Sequence, residues 1–243
     1  MRNLENYIKN KQNPFEVMDS EAKYWIGYIF ADGHLVYNEQ HRVYSISLFS
    51  NNQQIMDNFK EFIGPKAHLY KRPTGIIQVI YNSKPVTKWF MDTFGIPQNK
   101  SCVLNPTIEV DWDILHGYFD GDGSVRATLS KGRWNRYEAK FTTGSIIWAE
   151  RMARFLEEEG ITSKIKQKGN AFDVNVHGKA NLFYLYNKMY ATGTSRLQYK
   201  YDTFVALFSD EQVNNGVNCW KGEIPNQQPS MGLTTHEGSE TRC

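Results

Sequence analysis

Long apolar runs and cysteine pairs are missing from this sequence. No run approaches the roughly 20 apolar residues that a membrane-spanning helix needs, and the N-terminal stretch MRNLENYIKNKQNPFEV lacks the apolar centre of a signal peptide. Only 3 cysteines occur in 243 residues, without a CxxC pair or a Cys/His cluster, so neither a disulfide framework nor a zinc site is expected. We therefore expect free thiols and an intracellular protein, in the cytoplasm of a bacterium or phage-infected cell or in an organelle, neither secreted nor bound to a membrane.

A strong net charge is also missing. The formal net charge is +2, but residues 1–209 carry 26 of the basic side chains against 21 acidic ones. This excess hints at a polyanionic partner without establishing one, because many solvated surfaces are mildly basic. With 40% hydrophobic residues, the chain is long enough for one large or two small domains with real cores.

An internal repeat organises the chain. The stretches WIGYIFADG and LHGYFDGDG place Gly27 with Gly117, Asp32 with Asp122, and Gly33 with Gly123, each pair 90 positions apart. Alternating and helix-periodic segments follow both copies in the same order, which predicts α-β-β-α-β-β-α for each half. The predicted units are residues 1–104, residues 105–209 and a polar tail, residues 210–243, in which we expect disorder. The linker, near PQNKSCVLNPTIEVDWD, is marked by two prolines.

The two copies predict paired helices. A glycine in mid-helix costs about 1 kcal/mol relative to alanine, and close approach of another backbone is the usual compensation. If Gly27 and Gly117 face each other, the helices pack tightly and bring Asp32 and Asp122 together at their C-terminal ends. Two carboxylates at the negative ends of helix dipoles repel, so a bound cation is the natural compensation, and oxygen ligands favour Mg²⁺ or Ca²⁺.

Other readings of the acidic turns are weaker. An isolated Asp-Gly after a helix is usually only a turn, but here it occurs twice with the upstream glycine. An EF-hand starting at Asp120 would need glycine and glutamate where Val125 and Lys131 stand. The DxD metal site of a sugar transferase fits DGD alone, and FADG does not share it.

These residues resemble the two-motif, monomeric LAGLIDADG homing endonucleases over roughly residues 20–209. The resemblance implies an α/β (α+β) fold of two pseudo-symmetric halves, joined through the motif helices, each with a four-stranded antiparallel sheet that grips DNA. It also implies that Asp32 and Asp122 hold Mg²⁺, with help from the carbonyls of Ala31 and Gly121. Phe30 departs from the motif where the second copy keeps Asp120, so the later aspartate of each copy is the implied ligand.

Further catalytic residues are less well marked. The family tends to place a water-ordering Gln or Lys after the second strand of each half, where this chain has Ser50 with Asn51 and Thr143 with Gly144. Lys84 and Lys179 each follow the fourth strand of a half and are our candidate catalytic lysines. The alternative for each is a solvated lysine at the start of a helix.

Basic residues in or beside the strands are our candidates for DNA contact. They are Arg42, Lys71, Arg72, Arg126, Lys131, Arg133, Arg136, Lys140, Lys164, Lys166 and Lys168. Because the halves differ at these positions, an asymmetric double-stranded target is expected.

The tail suggests an origin for the gene. Back-translated with suitable codons, NCWK, NQQPS and GSETR, in that order, match the core segments of a group I self-splicing intron. An intron-encoded endonuclease that promotes intron mobility is therefore our leading hypothesis. The alternatives are an RNA maturase that assists splicing of its own intron RNA, and an inactive DNA-binding regulator on the same fold.

Overall fold

The two sequence repeats form two similarly built halves. The computed structural model describes residues 13–98, 100–130 and 133–214. The first half contains α1 (Ser20–Asp32), β1 (His34–Asn38), β2 (Val43–Ser50), α2 (Gln53–Ile63), β3 (His68–Lys71), β4 (Ile77–Asn82) and α3 (Lys84–Phe94). The second contains α4 (Trp112–Asp122), β5 (Gly123–Ser130), β6 (Arg133–Thr143), α5 (Ile146–Glu158), β7 (Ser163–Lys168), β8 (Ala171–His177) and α6 (Lys179–Met189). The predicted order of elements and the α/β class are confirmed.

One more helix, α7 (Gln198–Asn214), follows the second half and is not predicted by the sequence pattern. Phe204 of α7 is fully buried and packs on the rings of Phe119 and Tyr186. The helix crosses the boundary at residues 209 and 210 where the tail was expected to begin. The remaining tail residues, with the three peptides read as intron core, lie outside the described residues.

The motif helices start and stop as their sequences dictate. Asp19 caps α1 by accepting a hydrogen bond from the Ala22 N–H, at 2.8 Å, and Asp111 caps α4 through Ile114, at 2.9 Å. Gly33 and Gly123 end the helices in extended conformation, so a left-handed backbone does not explain them. A Cβ at either glycine would overlap the preceding helical turn. Because glycine has no Cβ, the chain can pass directly from helix into strand at both places.

Each half forms one antiparallel sheet, with strand orders β1-β2-β4-β3 and β5-β6-β8-β7. Alternate residues of each strand, such as Ala139 and Phe141 in β6, are buried in the core beneath the helices. The intervening residues, such as Glu138 and Lys140, lie on the opposite face of the sheet. Two faces, one from each half, are thereby available for a partner.

The motif helices pack directly against each other. A Cβ at Gly27 would overlap the carbonyl of Ile114, and a Cβ at Gly117 would overlap the carbonyl of Tyr24. Each glycine thus packs against the backbone of the opposite helix, at a residue one turn before the glycine of that helix. An ion pair between Lys23 and Asp111, at 2.8 Å, closes the N-terminal end of this interface.

Two further features of the structure concern membranes and thiols. Among the described residues, no helix is long and apolar enough to cross a membrane. Cys102 is an exposed free thiol, whereas Cys219 and Cys243 lie outside the part of the chain that the structure describes.

Candidate metal and DNA site

The paired helices bring their acidic ends together. Gly121 of α4 lies so close to α1 that a Cβ on it would be 3.6 Å from the backbone nitrogen of Asp32. Asp32 and Asp122 therefore end adjacent helices. Both residues are exposed to solvent on one side, and the surrounding protein partly desolvates their carboxylates on the other. A ligand from solvent can reach a site whose far side is formed by the two helices.

Burial and mutual repulsion set the charge of this pair. Burial raises the pKa of Asp32, and nearby Lys100 and Lys200 partly offset this effect. Burial and the charge of Asp32 together raise the pKa of Asp122 to about 6, again against the two lysines. Two carboxylates that resist ionisation next to each other are suited to a bound cation, which favours their charged forms.

Two buried lysines, Lys100 and Lys200, complete the site, and neither is predicted from the sequence. The Lys100 ammonium donates to the carbonyls of Phe30 and Ala31, at 2.8 and 3.1 Å. The Lys200 ammonium donates to the carbonyls of Phe119 and Asp120, at 2.6 and 2.8 Å. Each lysine thus binds the last turn of one motif helix, where its charge interacts favourably with the dipole.

Burial lowers the pKa of both lysines to about 8, although the nearby aspartates oppose this shift. Their ammonium groups are therefore close to releasing a proton under ordinary conditions. A group with such a pKa, beside the two aspartates, can donate or accept a proton near neutral pH.

The lysines expected from the sequence lie elsewhere. Lys84 starts α3 and pairs with Glu39 of the β1–β2 hairpin, at 2.9 Å, with its ammonium over the Tyr44 ring. The end of β4 that precedes Lys84 pairs with Ser45, near the β1–β2 turn. Asp32, in contrast, lies just before β1, at the end of that strand away from the turn. Lys179 starts α6 just beyond His177, which pairs with Glu138, in the corresponding place of the second half. Neither is brought to the aspartates, so Lys100 and Lys200 replace them as candidates.

A sequence signal for Lys100 and Lys200 is present but irregular. Lys100 follows Gly95, which ends α3, and Lys200 follows the loop after α6 that contains Gly193. The helices α3 and α6 start 95 positions apart (179 minus 84), and the loop before Lys200 is longer than the loop before Lys100, so the lysines are 100 positions apart and not the 90 of the motif repeat. Aligning the halves on the helices after β4 and β8, with a gap, would have found them.

The available ligands fit a metal such as Mg²⁺. No group of three or more His, Cys, Asp or Glu side chains suited to a metal occurs among the described residues. Asp32 and Asp122 give the site two carboxylates, and Mg²⁺ characteristically takes one or two carboxylates together with water and substrate phosphates. The Ala31 carbonyl accepts from Lys100, so the ligand role expected for it competes with a lysine, and Gly121 shares the turn that contains Asp122.

Asp120, the extra acid of the second motif, has a different environment. Its Oδ2 accepts from the Tyr24 hydroxyl at 2.8 Å and from the Leu197 N–H at 2.7 Å. Burial raises the pKa of Asp120 to about 7 against these hydrogen bonds and Lys200. Because Leu197 lies three residues before Lys200, Asp120 fastens the segment that carries this lysine to both motif helices.

Most of the basic residues expected to contact DNA lie on or beside the sheets. Arg126, Arg136 and Lys140 project from the face of the second sheet that is turned away from the core, and Lys164, Lys166 and Lys168 are exposed along its edge strand β7. In the first half, Lys71 ends β3, Arg72 follows it, and Arg42 lies in the β1–β2 turn with a positive φ. Lys131 and the side chain of Arg133 fall outside the described part of the chain.

Comparisons with known proteins agree with this architecture. Residues 109–188 match the family model of the LAGLIDADG-like domain. The fold is similar to that of a double lysine-to-alanine mutant of I-SmaMI, with a TM-score of 0.60 and 14% identity over 84% of this chain and 93% of the other. No curated protein sequence gives a significant match.

Two further structures of I-SmaMI contain DNA. One has uncleaved target DNA in the presence of calcium ions, with a TM-score of 0.57 and 14% identity over 84% of this chain and 93% of that one. The other, described as a LAGLIDADG homing endonuclease bound to cleaved DNA, has a TM-score of 0.59 and 15% identity over 84% and 91%. At these identities, the likeness shows that the chain has the LAGLIDADG homing endonuclease fold.

Proposed function

We propose that this protein is a site-specific DNA endonuclease that hydrolyses both strands of a long, asymmetric target with Mg²⁺. The observation that carries the proposal is the site where the motif helices end: two adjacent aspartates, each helix end bound by a buried lysine, between two four-stranded sheets. Structural proteins have little use for two buried lysines beside two aspartates, whereas perturbed pKa values of this kind are concentrated at functional sites.

The aspartates and the lysines of the site have different roles in the proposed reaction. Asp32 and Asp122 would hold the metal, which when bound lowers the pKa of water and stabilises charge on the scissile phosphate. Lys100 and Lys200, with pKa values lowered to about 8, exchange protons with water or with the departing 3′ oxygen. The two aspartates are close together, so the two strands are cut near each other, across one groove.

Double-stranded DNA is the partner that the sheets favour. Basic residues on the sheet surfaces supply the phosphate contacts that give a protein its affinity and position on a duplex. I-SmaMI, which has the same fold, is bound to DNA in its structures with calcium ions and with cleaved DNA. The catalytically inactive regulator is disfavoured by the presence of both aspartates.

The test uses DNA that spans the insertion site without the intron. We expect the full-length protein with Mg²⁺ to make one double-strand break, and Asp32→Asn and Asp122→Asn to abolish it while retaining binding. Asp92→Asn is the matched control, because Asp92 pairs with Lys88 on the exposed surface of α3. The absence of a specific break, or unchanged cutting by the two variants, would overturn the proposal.

The genetic context belongs to the same proposal. The peptides NCWK, NQQPS and GSETR support a reading frame that enters a group I intron core, so that cutting the intronless allele promotes intron mobility. The gene decides this point, since codons that cannot pair as such a core would contradict it. We also propose a monomer, because the chain contains two motif copies, and light scattering of the purified protein tests its mass.

A further inference from the structure

Strand pairing aligns equivalent rows of residues on the outward faces of the two sheets. In the second half, Arg126, Glu138 and His177 are opposite one another on β5, β6 and β8. In the first half, the same row is formed by Val36, Ser45 and Asn82 on β1, β2 and β4. Arg126 and Val36 are 90 positions apart, as are the motif residues. One symmetric place in the fold is therefore charged in one half and neutral in the other.

The charged row is organised around Glu138. This carboxylate is 6% exposed, and Arg126 and Arg136 bind its two oxygens at 2.6 and 3.2 Å. His177 is 3.6 Å from the same carboxylate. A buried acid on the middle strand thus holds two arginines over the sheet surface.

The two arginines retain donors for a partner. Their side chains are 67% and 59% exposed, and each uses one terminal nitrogen on Glu138. A guanidinium has five N–H donors in a rigid fork, so each arginine presents its remaining donors to whatever lies on the sheet. Fixing a flexible side chain beforehand reduces the entropy lost on binding.

The neutral row offers a different recognition chemistry. Val36 is an aliphatic side chain outside the core and Asn82 is exposed, whereas Ser45, in the place of Glu138, is buried. In the major groove, apolar groups contact the thymine methyl, asparagine pairs with adenine, and arginine pairs bidentately with guanine. The neutral row therefore suits an A·T pair, and the charged row suits guanine.

We propose that these rows break the symmetry of the DNA target. Arg126 and Arg136, positioned by Glu138, read guanine in the second half-site, and Val36 and Asn82, on the strands that flank buried Ser45, read an A·T pair at the symmetry-related position. The inference rests on the proposed function and adds base identities to it. Arg126 is four residues beyond Asp122, or about 13 Å along an extended strand, so the guanine lies in the inner part of its half-site.

Selection from a randomised duplex library tests the proposal. The protein is incubated with the library in Ca²⁺, the ion present with uncleaved DNA in the I-SmaMI structure, and bound molecules are sequenced. We expect guanine at one inner position of one half-site and A·T at its symmetric counterpart. A library without enrichment would overturn the proposed function and this inference together. A selected site with the same base pair at both positions would overturn the inference alone.

Variants connect each base to its row. Arg126→Ala and Glu138→Gln are expected to reduce the preference for that guanine about tenfold or more, with affinity for unrelated DNA unchanged or increased by Glu138→Gln. Glu61→Gln, on the exposed surface of α2, is the matched control. If Glu138→Gln weakened the binding of all DNA sequences equally, Glu138 would have a merely structural role, and its assignment as the residue that positions the arginines on guanine would be overturned.

Transplanting the row gives the opposite test. The double change Val36→Arg with Ser45→Glu recreates the charged pair in the first half, and we expect it to move the preference there from A·T to guanine. Thermal unfolding of this variant establishes that it is folded. A folded double variant that still selects A·T would overturn the assignment of this row.

Discussion

At the scale of single residues, the site is a set of charges held against unfavourable surroundings. Asp32 and Asp122 have raised pKa values, and Lys100 and Lys200 have lowered ones, so burial acts against all four charged forms. Opposite charges close together offset part of this cost. The arrangement is therefore primed for a cation and for proton exchange, while contributing little to stability by itself.

Replacing Asp122 by asparagine is expected to stabilise the metal-free protein at neutral pH. The change removes a charge that burial and the neighbouring Asp32 both disfavour, and solvent screening of these accessible groups limits the gain to about 1 kcal/mol. Thermal unfolding in a chelator measures it, with Asp92→Asn as control. A variant that is less stable than the wild type at neutral pH would contradict the repulsion.

The same gain should disappear in acid. The pKa of Asp122 is raised from 3.8 to about 6, so the folded protein binds the proton more tightly than the unfolded chain. The stability that the wild type gains from this tighter proton binding is fully present below about pH 4 and is lost as the pH rises through about 6. Unfolding curves of wild type and Asp122→Asn should therefore converge toward about pH 4, and a constant difference would exclude this titration as the cause.

The two buried lysines are expected to act on the chemical step. Lys100→Met and Lys200→Met should each lower the single-turnover cleavage rate by about 10² to 10⁴-fold, the usual range for a lost acid–base group, with little change in DNA affinity. Lys88→Met, in an exposed ion pair on α3, is the control. Loss of cutting in Lys84→Met but not in Lys100→Met would contradict the role of Lys100 at the two aspartates.

At the scale of elements, the paired motif helices are the central feature. Nearly every residue of α1 from Ala22 to Phe30 is buried, because one side packs on its own half and the other on α4. An apolar helix with a glycine in its middle is a signal that sequence can supply. The contacts of Asp120 with Tyr24 and Leu197, and the course of α7, depend on segments brought together by folding and leave no local pattern.

Gly117→Ala is expected to destabilise the protein by about 3 kcal/mol or more, because the added Cβ overlaps the backbone of α1 and the helices cannot separate without losing their core. Guanidinium unfolding measures the change. Gly75→Asn is the matched control: this turn glycine has φ +83 with open space around it, and asparagine tolerates that conformation. Wild-type stability of Gly117→Ala would contradict the close packing.

At the scale of the whole molecule, the halves depend on each other. Besides the motif helices, Ser195 of the second half donates to Glu21 of the first through both its N–H and its hydroxyl, at 2.9 and 2.6 Å. The linker is fixed as well, since Ser145 binds the Leu104 carbonyl and Arg151 binds the carbonyls of Pro106 and Ile108. The site exists only in the assembled molecule.

Separating the halves is therefore expected to unfold them. Residues 1–104 and residues 105–243, produced as two chains, should each lack a cooperative thermal transition, because each exposes the apolar side of a motif helix. Mixing them should restore the transition. Circular dichroism and heating curves measure this, and a fragment that alone unfolds at the wild-type temperature would contradict the dependence.

The sequence by itself determined what depends on local order: the repeat, the element order of each half, the glycines of the motif helices and the position of Asp32 and Asp122 at the ends of those helices. Periodicity and short motifs encode these features within one helix or strand. Only the tertiary structure decided which lysines join the aspartates and which acid positions two arginines. Lys100 and Lys200 reach the site through loops of unequal length, and Glu138 meets Arg126 across a strand pair, so their partners are neighbours in space and not along the chain.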